Sequence, residues 1–265
     1  MAGMTATAAI RTPFKPNWWA RLGWLLLVVY CFYALSELQI TWERFVIGLG
    51  TGAKFLSELF PPGMKRLGLL LDNLIETVEI AVISSAFGIL FSLPLGFLAA
   101  RNLMPGWLTW PSRAIIALSR SFHPVIFAIL FVKAVGFGPL AGILTLVFAS
   151  IGFVGKLFAE AIEEISLKPV EAMKAAGAPF MSVITYGVLP QVFNRFIGFS
   201  TYQFDSNLRN STMIGVVGAG GIGGTLFAAF QRFDYDFLCT ILLSIIGLIM
   251  IGEYLAVKIK AVFND

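Results

Sequence analysis

Charge is what this 265-residue sequence has least of. Asp, Glu, Lys and Arg together make up 13% of it, against 58% hydrophobic residues. A soluble domain carries about 25% charged residues, so a chain with mean hydropathy +0.84 reads as a polytopic membrane protein. His123 is the only histidine, which excludes a histidine-based metal cluster. The two cysteines, Cys31 and Cys239, lie in separate apolar runs without metal or redox spacing, and no metal site is expected. No G-x-x-x-x-G-K-[ST] occurs, since Gly155-Lys156 is followed by Leu157, so P-loop chemistry must come from another chain. G-x-S-x-G and H-E-x-x-H are also missing, as are repeats of solenoid length and low-complexity tails. A net charge of +4 does not point to nucleic acid, because membrane proteins retain Lys and Arg on the cytoplasmic side.

What the sequence has is long apolar runs. At about 20 residues per span plus loops, its length leaves room for about five to seven helices. Six candidate spans lie near 21–40, 74–100, 114–135, 139–160, 190–208 or a little beyond, and 237–257. The first follows Arg11, Lys15 and Arg21 but no small-residue cleavage site, so it reads as a retained helix. With the N-terminus inside, the cytoplasmic segments hold Arg11, Lys15, Arg21, Arg101, Arg113, Lys156, Lys168, Lys174, Lys258 and Lys260. The external ones hold Arg44, Lys54, Lys65, Arg66, Arg209 and Arg232. That bias places both termini in the cytoplasm.

Residues 41–66 are too polar and Gly-broken to span, and Phe45, Leu49, Phe55, Leu56, Leu59 and Phe60 suggest amphipathic pieces at the outer interface. The second span carries Glu76, Thr77 and Glu79 near its outer end, with Pro94 and Gly96 predicting a kink near the inner one. Arg101-Asn102, Pro105-Gly106 and Pro111 read as the next cytoplasmic turn. In RSFHPV, Pro124 frees a backbone carbonyl, and Arg120 is either a buried cation or one that snorkels toward the cytoplasm. Asp205 and Glu253 are the acids best placed to offset buried cations.

Gly218-Ala219-Gly220-Gly221-Ile222-Gly223 satisfies G-x-G-x-x-G after the strand-like Ile214–Val217. Read alone it suggests a membrane-bound dinucleotide-dependent oxidoreductase, but a βαβ unit and a later acid are required. A full apolar span follows instead, and no soluble α/β domain fits. Arg209, Asn210, Ser211 and Thr212 precede this stretch as either an interfacial cap or a polar strip on a solute path. Backbone N–H groups around Gly218, Gly220 and Gly221, at the positive end of a broken helix, would suit an oxyanion.

The segment EAMKAAGAPFMSVITYGVLP (171–190) is a short strong helix former stopped by Gly177-Ala178-Pro179, with a second break at Leu189-Pro190. Two short helical pieces at a membrane boundary make a knob that a soluble partner can grip. The spacing resembles the EAA loop of ABC importer permeases: Glu171, Ala172, Gly177, Leu189 and Pro190 match, Met173 replaces the second Ala, and Gly187 stands where Ile is usual. Residues 136–178 and 204–227, the latter containing N-x-R-x-S-T-x-I-G-x-V-G-A-G-G-I-G, further resemble the phosphonate/phosphite/hypophosphite importer permeases. Methionine importer permeases are the nearest cousins and the alternative; a structural membrane scaffold is a reading of another class.

The resemblance implies an all-α polytopic fold of six transmembrane helices, with a five-helix permease core and a cytoplasmic coupling helix. Residues 1–20 are then a cytoplasmic segment, 21–69 an accessory helix with its periplasmic interfacial loop, and 70–265 the core. It also implies a transport subunit, not an enzyme, in a bacterial inner membrane. The implied partners are a second copy of the chain, two or more ATPase subunits that bind the ATP and Mg, and a periplasmic or lipid-anchored solute-binding protein. The chain itself is expected to hold no cofactor.

Overall fold

The computed structural model describes residues 17–38, 41–64 and 66–264, with side chains to residue 261. The described residues are helical with short connections and contain no strand. They fall into two compact units divided after Ser57. Arg11, Lys15, Lys65 and most of the expected N-terminal segment lie outside the described residues.

The first unit holds α1 (Trp18–Glu37) and α2 (Trp42–Glu58). Asn17 caps α1 by accepting a hydrogen bond from the Trp19 N–H at 3.2 Å. Its 20 residues bury nothing and are apolar all round, as in a helix surrounded by lipid. The predicted amphipathic pieces are one 17-residue helix, α2. Gly48, Gly50 and Gly52 do not break it; they weaken a helix without forbidding one.

The second unit contains α3 (Leu67–Ala99), α4 (Gly106–Arg120), α5 (Pro124–Val135), α6 (Pro139–Glu163) and α7 (Leu167–Ala175). A short α8 (Phe180–Ser182) merges through a π-helical turn (Val183–Val188) into α9 (Leu189–Ile214). A 3-10 turn (Gly215–Val217), α10 (Ile222–Gln231) and α11 (Tyr235–Asn264) complete it. Among the described residues four helices, α1, α3, α6 and α11, are long and apolar enough to cross a membrane, and six spans result if α4–α5 and α8–α10 each count as one bent span.

Two expected features differ. The third span begins eight residues before its predicted start, at Gly106, and is not straight: α4 and α5 meet at 94° across Ser121–His123. Pro111, read as a turn residue, sits inside α4. The strand-like Ile214–Val217 is the end of α9 and a 3-10 turn.

α3, α6 and α9 form the centre of the unit, and small residues bring them together. The faces of Gly88 and Ser150, and of Gly96 and Phe158, leave no room for an added Cβ. Between lipid-solvated helices such close approach replaces the hydrophobic drive as the source of packing energy. One apolar cluster, around Phe158, Ile162, Val170, Val188 and Val192, lies at the α7 end. Another, around Ile80, Ala128, Leu146 and Ile214, lies at the opposite end.

Polar side chains fill the level between the two clusters. Asn207, fully buried, donates to Ser85 Oγ at 3.0 Å and Ser150 Oγ at 2.9 Å. Gln203 donates to Ser150 Oγ at 2.9 Å and Asn207 Oδ1 at 2.8 Å. This network fixes the register of α9 against α3 and α6 at the middle of the span, where an unpaired amide would be costly.

Candidate functional site

The EAA-like segment forms a protruding knob with a rigid base. Val170 is buried against Val183 and Val188, and Met173 packs beside it, so α7 lies with one side on the core. Glu171, Ala172, Lys174 and Ala175 make the opposite, exposed side. Glu171 has no hydrogen-bond or ion-pair partner among the described residues, and its alanine neighbours leave a flat surface.

The end of α7 is a Schellman turn. The Gly177 N–H donates to the Lys174 carbonyl and the Ala178 N–H to the Met173 carbonyl, both at 3.0 Å. Gly177 has φ +76°, a conformation open to glycine at little cost. Leu189-Pro190 does not break the chain as the sequence suggested. Pro190 has no N–H and its ring would strike the carbonyl four residues back. The preceding turn widens to accommodate it, with the Leu189 N–H reaching back five residues to the Ile184 carbonyl.

Sequence reasoning missed Gln191. Its Oε1 accepts from the Ser166 N–H at 3.0 Å, while its Nε2 donates to the carbonyls of Ser166 at 3.2 Å and Gly187 at 2.6 Å. One amide thus ties the start of α7 to the π-helical turn. Nothing in the spacing signals a pair 25 residues apart. Two acids flanking the knob also have partners in the chain. Glu164 pairs with Arg195 at 2.6 Å, and Glu163 pairs with Arg113 at 2.5 Å while accepting from the Arg101 N–H at 2.8 Å.

The four residues expected as a polar strip divide between two faces. Ser211 and Thr212 are buried and spend their hydroxyls on the Leu208 and Arg209 carbonyls. Arg209 is exposed and paired with Asp205 at 2.5 Å, and Asn210 donates to Ser206 Oγ at 3.3 Å. Asp205 therefore offsets Arg209, not Arg120. Since Asn207 locks α9 to Ser150, the twelfth of the 25 residues of α6, the Asp205–Arg209 pair sits at mid-span, not in the external segment to which the charge bias assigned Arg209. A charged pair there cannot face hydrocarbon without large cost. It faces protein or water.

The glycine turn joins α9 to α10, and several of its N–H groups are spent on that joint. The N–H groups of Gly218, Ala219 and Ile222 donate to the Gly215 carbonyl, the Ile214 carbonyl and Thr77 Oγ1. The Thr77 bond, 2.8 Å long, caps α10 from α3. A Cβ on Gly220 would stand 2.8 Å from Glu76 Oε1, so a carboxylate already occupies the approach to this backbone. Gly218, Gly220 and Gly221 all have positive φ, and Gly221 leads directly into α10.

Comparison with known proteins places this all-helical chain among transport permeases. Residues 92–259 match the family model described as "Binding-protein-dependent transport system inner membrane component". The chain belongs to that family. Among similar permeases is the phosphite transport system permease protein PtxC of Stutzerimonas stutzeri, 38% identical over 91% of this chain and 88% of that one. The phosphate-import permease protein PhnE of Mycolicibacterium smegmatis is 38% identical over 89% of this chain and 45% of its own. Among solved structures, the inward-facing MetNI methionine ABC transporter superposes with TM-score 0.65 over 76% of this permease and 99% of that chain, at 24% identity. That likeness establishes the shared fold.

Proposed function

We propose that this permease is the translocation subunit of an ATP-driven importer for phosphorus oxyanions such as phosphite, phosphonate or phosphate. Two copies enclose the solute path, with the α7 knobs and both termini on the cytoplasmic side. A separate ATPase docks on the exposed side of α7 through Glu171, Ala172 and the turn at Gly177, and a binding protein delivers solute to the opposite end. Leu189 and Pro190 set the π-helical turn that passes motion at α7 into α9. Differential binding of these partners to two states drives the cycle.

The observation that carries the reading is the build of α7: an exposed, unpaired Glu171 face on a base held by Val170, the Schellman turn and Gln191. A helix with no other role has no need of such anchoring. The solute class is supported by the likeness to PtxC and PhnE, and by Arg209 on an accessible face at mid-span. Enclosing that face between two copies supplies the protein or water that its charge requires.

Reconstitution with the partner ATPase and binding protein tests the reading. Uptake of phosphite, methylphosphonate or phosphate should be ATP-dependent and saturable, and methionine should not be transported. Methionine uptake without uptake of any phosphorus oxyanion overturns it.

A further inference from the structure

A cavity of about 450 Å³ opens between α4 and α6, with Arg113, Arg120 and Lys156 as its cations, Glu160 as its carboxylate, and Ile116 and Ala159 in its floor. Its volume lies within the range of small-molecule sites, roughly 300–1,000 Å³. Three cations face one carboxylate, so the lining favours an anion.

The three cations are not equivalent. Arg113 is committed twice, to Glu163 and, through Nε at 2.9 Å, to the Ala99 carbonyl. Lys156 is held loosely, 3.4 Å from Glu160. Arg120 has no hydrogen-bond or ion-pair partner among the described residues.

The depth of Arg120 gives this its meaning. α4 runs along α6 from Arg113, paired at the last residue of α6, to Arg120, whose Cγ lies 2.8 Å from where a Cβ on Gly152 would stand. Gly152 is eleven residues before the end of α6, or about 16 Å at 1.5 Å per residue. That is near the middle of a hydrocarbon core about 30 Å thick. At the same level α4 ends and the backbone turns through 94° into α5. Non-helical backbone at this depth must be covered by protein or line a water-filled cavity. An unpaired cation and a broken helix therefore lie together at this level, with Arg120 in the cavity wall.

We propose that this cavity is a transit site for a tetrahedral phosphorus oxyanion inside the permease itself. Arg120 is its principal contact through bidentate hydrogen bonding. Lys156 is a second contact, recruited as the anion competes with Glu160. The inference rests on the proposed function and moves the solute contact away from the glycine turn, where the Glu76 carboxylate stands beside Gly220.

The test uses the assembled transporter in vesicles, with Cys31→Ser and Cys239→Ala as background and Ala117→Cys as reporter on the cavity wall. A water-soluble sulfonate thiol reagent should label Ala117→Cys about tenfold faster than it does when Arg120→Gln is added, and Arg120→Lys should restore most of that rate. Phosphite should slow the labelling. Uptake should fall about tenfold or more in Arg120→Gln and in Lys156→Gln, with recovery in Arg120→Lys. A position closed to aqueous reagents, or one labelled at a rate indifferent to Arg120, overturns the proposal. Protection that follows the anionic phospholipid content of the vesicles, rather than added solute, makes it a lipid-headgroup site and overturns it too. If sulfate or another small anion protects while phosphite, methylphosphonate and phosphate do not, the cavity takes anions but the phosphorus class fails.

Discussion

Gln191 grips Ser166 by both of its backbone groups, accepting from its N–H at 3.0 Å and donating to its carbonyl at 3.2 Å. It thereby joins the first residue before α7 to the first turn of α9. A movement of the knob is passed to α9 through this amide as well as through the apolar base.

Replacing Gln191 by alanine should therefore weaken transmission more than folding. The pair is exposed, so each hydrogen bond contributes at most about 1 kcal/mol to stability. Gln191→Ala should reach the membrane at normal levels and keep its melting temperature within a few degrees. ATP hydrolysis stimulated by the loaded binding protein should fall about fivefold or more, as a loosened α7 populates its docking-competent position less often. Stimulation equal to wild type would show that the base at Val170 suffices alone.

The turn at Gly177 makes a second test because it separates backbone from packing. A Cβ placed there meets no atom within 4 Å, so the only penalty is the positive φ. For a β-branched residue that penalty is about 1–2 kcal/mol. Gly177→Val should lose solute-stimulated hydrolysis and uptake, whereas Gly177→Asn, which tolerates the left-handed region, should retain most of both. Glu171→Lys should lose both without changing membrane levels, because it reverses a charge on the docking side. Vesicle assays showing normal uptake in Gly177→Val and Glu171→Lys together would remove α7 from the coupling role.

At the centre of the bundle the prediction is about stability. Asn207 touches neither the knob nor the exposed side of α9, yet it bonds to Ser85 and Ser150 and accepts from Gln203. Asn207→Leu keeps the branching of the side chain but leaves those partners short. Interhelical hydrogen bonds in membranes contribute about 0.6 kcal/mol on average and about 1.7 at most. Asn207→Leu should thus lower the melting temperature in detergent by several degrees while uptake per folded molecule holds. Unchanged thermal stability would mean the serines find new partners without cost.

What could be read from the sequence, and what could not, divides by range. Gly177 and Pro190 act on their own backbone, so their spacing announced the knob. Thr77, which caps α10 from 145 residues away, and Gln191, which holds a segment 25 residues earlier, left no local trace. The early start of α4 was hidden for another reason. Its buried positions include Thr109, Ser112 and Ser119, small polar residues that meet α3 and α6 while Trp107 and Trp110 point outward. That pattern inverts the one hydropathy looks for. The glycine run advertised a nucleotide site because a tight helix-to-helix joint and a phosphate loop both need positive φ, which Gly218, Gly220 and Gly221 supply.

The Asp205–Arg209 pair gives the last prediction, in which two substitutions are gentler than one. Asp205 is 14% exposed and its Oδ1 is buried without a partner, while Arg209 is 56% exposed. Removing one member of a buried pair leaves the other charged and uncompensated, which for fully buried pairs costs about 3–5 kcal/mol. Here the exposed Arg209 end draws that down toward the roughly 1 kcal/mol at the top of the range for exposed pairs. Arg209→Gln should lower the melting temperature because it strands the more buried Asp205. Adding Asp205→Asn should recover most of the loss, since a neutral amide next to glutamine needs no counter-charge. Transport should not recover with stability, because the double variant still lacks the cation on the accessible face of α9. Equal melting temperatures for the single and double variants would show that solvent, not Arg209, satisfies Asp205. Recovered uptake in the double variant would take Arg209 off the solute path.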